Sequence, residues 1–150
     1  MSARRIDVHI HTIPEAFKAA ARAAGQGATI TAGFPAWSVE RQLAFMDRHD
    51  IAVAISSISQ PGAHFGDDAA AARLARALNE ESAAMIAARP DRFGAFAVLP
   101  LPNVAAALGE IRYAIDTLKM DGIGLLASYN GVFLGDPSFD PVLTLLDEMA

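Results

Sequence analysis

The chain has 150 residues, 53% hydrophobic and 19% charged, with a formal net charge of −5 at pH 7. That suits one globular domain with a substantial core and excludes a disordered chain. The acidic balance argues against nucleic acid as a partner, and the lack of cysteine rules out disulfides, thiolate metal sites and a cysteine nucleophile.

The first predicted element is a strand from Arg5 to His11. Ile6, Val8 and Ile10 alternate with Asp7, His9 and His11, so the three polar residues are expected on one face. Imidazoles at i and i+2 stand roughly 6.5 Å apart along such a strand, from about 3.3 Å of rise per residue. Both rings can then converge on one ion with bonds of about 2.0–2.1 Å. Arg4 and Arg5 lead into this strand and not into an apolar leader. No apolar run approaches the ~20 residues needed to span a bilayer, so no membrane partner and a cytoplasmic location are expected.

Pro14 to Ala24 predicts a helix, with Pro14 in the first turn and Gly25 just past the end. Gln26 to Trp37 reads as a loop. Ser38 is expected to cap a helix reaching about His49, with Val39, Leu43 and Met46 on one face. Ile51 to Ile58 predicts a buried strand, and Ser59 to Gly66 a loop. Asp67 or Asp68 should cap a long helix ending near Arg89. Phe93 to Leu99 is the third predicted strand, and Asn103 caps a helix to roughly Met120. Gly122 to Ala127 is the fourth strand, Ser128 to Pro137 a loop, and Asp140-Pro141 opens a helix still running at Ala150.

Strands alternating with helices predict an α/β fold with a parallel sheet and right-handed crossovers. About four such units make half of a (β/α)8 TIM barrel, a fold of about 250 residues. The last helix also lacks a C-terminal Gly or Asn cap. Residues 1–150 are therefore expected to form the N-terminal portion of a truncated barrel domain. Its two open sheet edges would favour self-association into a homo-oligomer.

His9 and His11 are candidate metal ligands, because active sites lie at the C-terminal ends of barrel strands. The competing reading is a solvated polar face with no chemistry, in a non-catalytic α/β binding domain. Catalytic zinc usually takes three protein ligands and a water. His49 closes a helix, where a cation suits the dipole. His64, Trp37, Tyr129 and Asn130 occupy loops at the presumed catalytic end and are candidates for substrate contact. Gly122-Ile-Gly124 is not a dinucleotide fingerprint, since its glycines fall within a strand. Ser56, Ser57 and Ser59 lack a nucleophile elbow.

Ile6-Asp7-Val8-His9-Ile10-His11 resembles the first-strand metal motif of the amidohydrolase superfamily. Arg89-Pro-Asp-Arg-Phe-Gly-Ala-Phe-Ala-Val-Leu-Pro100 resembles the third-strand entry of one branch of it. That branch holds aminocarboxymuconate-semialdehyde decarboxylase and aromatic-acid decarboxylases. Asp121-Gly-Ile-Gly-Leu-Leu and Leu134-Gly-Asp-Pro-Ser-Phe-Asp-Pro141 are similar to its fourth strand and following loop. The resemblance spans the whole chain but only the N-terminal half of the family's domain.

It implies one divalent metal, zinc or manganese, held by His9 and His11. It also implies a later histidine, an acid–base histidine and an aspartate, all expected beyond Ala150. The implied activity of the complete protein is decarboxylation of a small aromatic or muconate-type carboxylic acid. Metal-dependent hydrolysis of a C–N, ester or lactone bond is the alternative. Some decarboxylases of this branch carry Glu in place of the first histidine, so His9 leans toward the semialdehyde-decarboxylase or hydrolase pattern. Asp7 is expected to orient an imidazole.

Overall fold

The computed structural model describes residues 5–26 and 36–150; most of the loop expected between Gln26 and Trp37 lies outside them. In chain order the elements are β1 (Arg5–Thr12), α1 (Glu15–Ala23), α2 (Val39–Arg48), β2 (Ile51–Ile58), α3 (Asp68–Ala88), β3 (Phe93–Val98), α4 (Val104–Arg112), β4 (Gly122–Gly124), β5 (Ser128–Tyr129), β6 (Val132–Phe133) and α5 (Asp140–Glu148). The first four strands form one parallel sheet in the order β1-β2-β3-β4. Helix separates each strand of this sheet from the next, which is the winding of a barrel half.

The helix starts follow their caps. Ser38 Oγ accepts the Arg41 N–H at 3.2 Å, Asp67 Oδ1 that of Ala70 at 2.6 Å, and Asn103 Oδ1 that of Ala106 at 3.0 Å. Each satisfies an otherwise orphaned amide and contributes about 1 kcal/mol. Gly25 ends α1 at φ +70, a conformation glycine adopts without Cβ strain.

One sheet face is sealed by helices. Ala54, Ser56 and Ile58 of β2 and Phe93, Ala95 and Ala97 of β3 are buried. Met46 of α2 packs with Ala54 and Phe93, and Ala95 and Ala97 pack with Ala114 and Met120. On the opposite face Ile55, Ser57 and Phe96 are only partly covered. A Cβ added to Gly122 would lie 3.2 Å from the Phe96 ring, and one on Gly124 would lie 3.9 Å from Ser57 Cβ. Gly122 thus lets β4 pass close over the Phe96 ring, whereas a Cβ at Gly124 would make only ordinary van der Waals contacts.

Three expected elements differ. The helix after Asn103 is α-helical only to Arg112 and then widens into a π-helical turn over Tyr113–Thr117. β4 is three residues long, not six: Leu125 and Leu126 leave the sheet to pack on the cluster around Leu99, Ile111, Phe139 and Val142. The loop expected from Ser128 contains an antiparallel hairpin turned by Asn130 at φ +49 and Gly131 at φ +80. That is the left-handed pair of a two-residue hairpin turn.

β1 is an edge strand, with Ile6 63% and Val8 59% exposed. No described helix is long and apolar enough to cross a membrane.

Candidate metal centre

The expected alternation of β1 is interrupted. Asp7 stands opposite Ala54 and Ile10 opposite Ser56, so three steps along β1 match two along β2. The extra residue is a bulge. Asp7 Oδ1 spans it, accepting the His9 backbone N–H at 3.0 Å. Beyond the slip, His11 pairs with Ser57 and Thr12 with Ile58. Asp7 therefore lies in register with Ala54 on the helix-covered face, and His11 with Ser57 on the other. The inserted residue shifts the alternation expected for Asp7, His9 and His11, and the Asp7 carboxylate, expected to orient an imidazole, engages the His9 backbone N–H.

The two imidazoles do meet. Their centroids are 4.9 Å apart with an interplanar angle of 74°. Two imidazoles on one zinc, with bonds of about 2.0–2.1 Å and a near-tetrahedral angle, have centroids roughly 5 Å apart. The donor set and the spacing thus fit a shared divalent ion. Among the described residues, however, no three acidic or histidine side chains group into a complete site.

His11 Nδ1 lies 3.0 Å from Ser57 Oγ, and that hydroxyl donates to the Ile10 carbonyl at 3.3 Å. Ser57, which the sequence analysis does not place at the site, is the residue that the register brings to His11. The signal was a hydroxyl at the matching position of the neighbouring parallel strand.

His64, Tyr129 and Asn130 come together. With Gln60, Pro61, Leu101, Leu126, Ser128 and Gly131 they line a cavity of about 150 Å³. His64 has both ring nitrogens engaged: Nε2 is 2.9 Å from Asp68 Oδ1, and Nδ1 accepts the Gly66 N–H at 3.3 Å. Its ring therefore fastens the loop to the start of α3. The Tyr129 hydroxyl accepts the Leu126 N–H at 2.9 Å, and burial pushes its phenol above the usual range despite that bond. Trp37 lies elsewhere, in a cavity of about 220 Å³ with Thr12, Pro14, Val39, Glu81, Ser82 and Met85. There its Nε1 and Thr12 Oγ1 are buried without a hydrogen-bond partner.

The chain matches the amidohydrolase family over residues 6–150. It belongs to that family. Among curated proteins this amidohydrolase chain is 40% identical over 146 residues to the decarboxylase yanB of Aspergillus niger, covering 92% of the chain and 39% of the relative. It is 39% identical over 142 residues to 6-methylsalicylic acid decarboxylase acuB of Aspergillus aculeatus, covering 92% and 43%. The chain thus spans about two-fifths of these relatives' lengths. Its fold superposes with TM-score 0.83 and 22% identity on 5-carboxyvanillate decarboxylase of Novosphingobium aromaticivorans, solved with manganese, covering 98% of the chain and 48% of that protein.

Proposed function

We propose that this chain is the N-terminal half of a metal-dependent decarboxylase barrel acting on a small aromatic carboxylic acid, of the kind named for its 6-methylsalicylic acid relative. The observation that carries the reading is the His9–His11 ring pair, 4.9 Å between centroids, at the C-terminal end of β1. The domain is residues 1–150, as the first part of a longer barrel.

His9 and His11 would hold the ion, as neutral imidazole donors. A divalent metal bound there supplies positive charge that orients the substrate carboxylate and stabilises charge as carbon dioxide departs. Imidazole donors suit zinc, while a structural neighbour is solved with manganese, so either ion is a candidate. Asp7 holds the bulge that sets the His9 backbone. Tyr129 and Asn130, with His64 bracing the loop, border a cavity in which a ring could rest. The site thus binds and orients the acid; the proton that replaces the carboxylate comes from outside the described residues.

Carbon dioxide release from 6-methylsalicylate tests the reading in a protein carrying this segment with the rest of a barrel. Metal-dependent release that disappears in His9→Ala and His11→Ala supports it. Metal-dependent hydrolysis of esters or lactones without release of carbon dioxide contradicts it. The isolated chain, with two donors, is expected to turn over little or nothing.

A further inference from the structure

We infer that Ser57 is a positioning residue that fixes the tautomer of His11, so that the lone pair of its ring stands on Nε2. The inference deepens the metal reading above and rests on it for its purpose, but its geometry is independent of any ion.

Counting protons sets the direction of each bond. The Ile10 carbonyl can only accept, so the 3.3 Å contact requires Ser57 to donate its single hydroxyl proton there. The Ser57 oxygen then has only lone pairs left for His11 Nδ1, 3.0 Å away. Nδ1 must therefore carry the ring proton, and in a neutral imidazole Nε2 is left with the lone pair. The reverse arrangement would give up the bond to Ile10 and put the proton on Nε2, blocking it as a ligand.

The ladder makes this bond reproducible. Ser57 is the register partner of His11 itself, one residue after regular pairing resumes at Ile10. Ser57 sits on the partly covered face, while its neighbours Ser56 and Ile58 are buried under helices. Among the described residues it is His11 that has this hydroxyl partner, while the His9 ring packs edge-on against that of His11. Partners of this kind, on the far nitrogen of a ligating histidine, typically change metal affinity by 10- to 100-fold when removed.

The test is ring ¹⁵N NMR of the metal-free chain at alkaline pH, where imidazoles are neutral, together with zinc titration. Wild type, Ser57→Ala and Ser57→Thr are compared. We expect His11 in the Nδ1–H form in wild type and in Ser57→Thr, which keeps the hydroxyl. Ser57→Ala should lose that preference and weaken zinc binding by about 10-fold or more. A wild-type His11 in the Nε2–H form, or an unchanged tautomer in Ser57→Ala, overturns the inference. If the tautomer behaves as stated but wild type binds no zinc through His9 and His11, the metal reading fails and the tautomer assignment stands.

Discussion

Asn79 closes on both polar groups of Val98. Its Oδ1 accepts the Val98 N–H at 2.9 Å, and its Nδ2 donates to the Val98 carbonyl at 3.0 Å. A buried side chain on α3 thereby serves the last residue of β3 as a neighbouring strand would, and it fixes where that strand hands over to the loop above the site. Asn79→Ala should cost about 2–3 kcal/mol, because two backbone groups lose partners inside the protein. Urea unfolding measures this; a midpoint equal to wild type would remove the clamp from the account.

Glu110 is the next member of the same network. Its carboxylate is buried, and it receives Asn79 Nδ2 at 2.8 Å and Arg76 Nε and Nη2 each at 3.0 Å. The Arg76 guanidinium also lies 3.5 Å from the Tyr113 ring centroid. Hydrogen bonding to Glu110 holds the Arg76 guanidinium still further above its usual range. Arg76→Ala strands a buried carboxylate and should destabilise the chain by about 3 kcal/mol, with Arg76→Gln little better. Thermal unfolding of both variants checks this, and a loss near zero would contradict a paired Glu110.

Gly94 is kept by crowding. A Cβ there would meet Asp121 Oδ2 at 2.5 Å and Ile55 Cδ1 at 2.6 Å. Asp121 is not free to yield, since its Oδ2 accepts the Ala95 N–H at 2.8 Å. Gly94→Ala is expected to cost about 1–3 kcal/mol. Gly109→Ala, where an added Cβ meets nothing within 4 Å, is the control and should be neutral or stabilising. Equal stabilities of the two variants would contradict this reading of β3.

Both tyrosines should titrate late. Hydrogen bonding to Glu80 raises Tyr113, and burial raises Tyr129. A raised pKa means the folded state holds the proton more tightly than the unfolded chain. The contribution to stability is therefore complete below about pH 10 and lost as pH climbs through the raised values. Ultraviolet titration of Tyr113→Phe isolates Tyr129; a midpoint at the ordinary phenol value would show that its ring is not buried.

Much of this architecture was legible because its signals are local. Ser38, Asp67 and Asn103 announced three helix starts by side-chain chemistry alone, and the period-two and helical patterns ordered the βα units. What was hidden depends on neighbours. The bulge in β1 arises from register against β2, and no pattern within Arg5 to His11 encodes it. Ser57 became visible only once that register put it opposite His11. The π-helical turn after Arg112 likewise breaks an apolar pattern that runs on unbroken. The hairpin is different, since Asn130-Gly131 between Tyr129 and Val132 is a recognised turn signal. Its flanking strands, two residues each, are too short to show a strand pattern.

The central claim is that His9 and His11 jointly hold a divalent ion. Metal content per chain, measured on purified wild type beside the His9→Ala/His11→Ala double variant after equilibration with zinc or manganese, tests it most directly. The account predicts near-stoichiometric metal in wild type and none in the double variant, with folding unchanged because both rings are exposed. Equal metal content in the two proteins, or none in wild type, would contradict it.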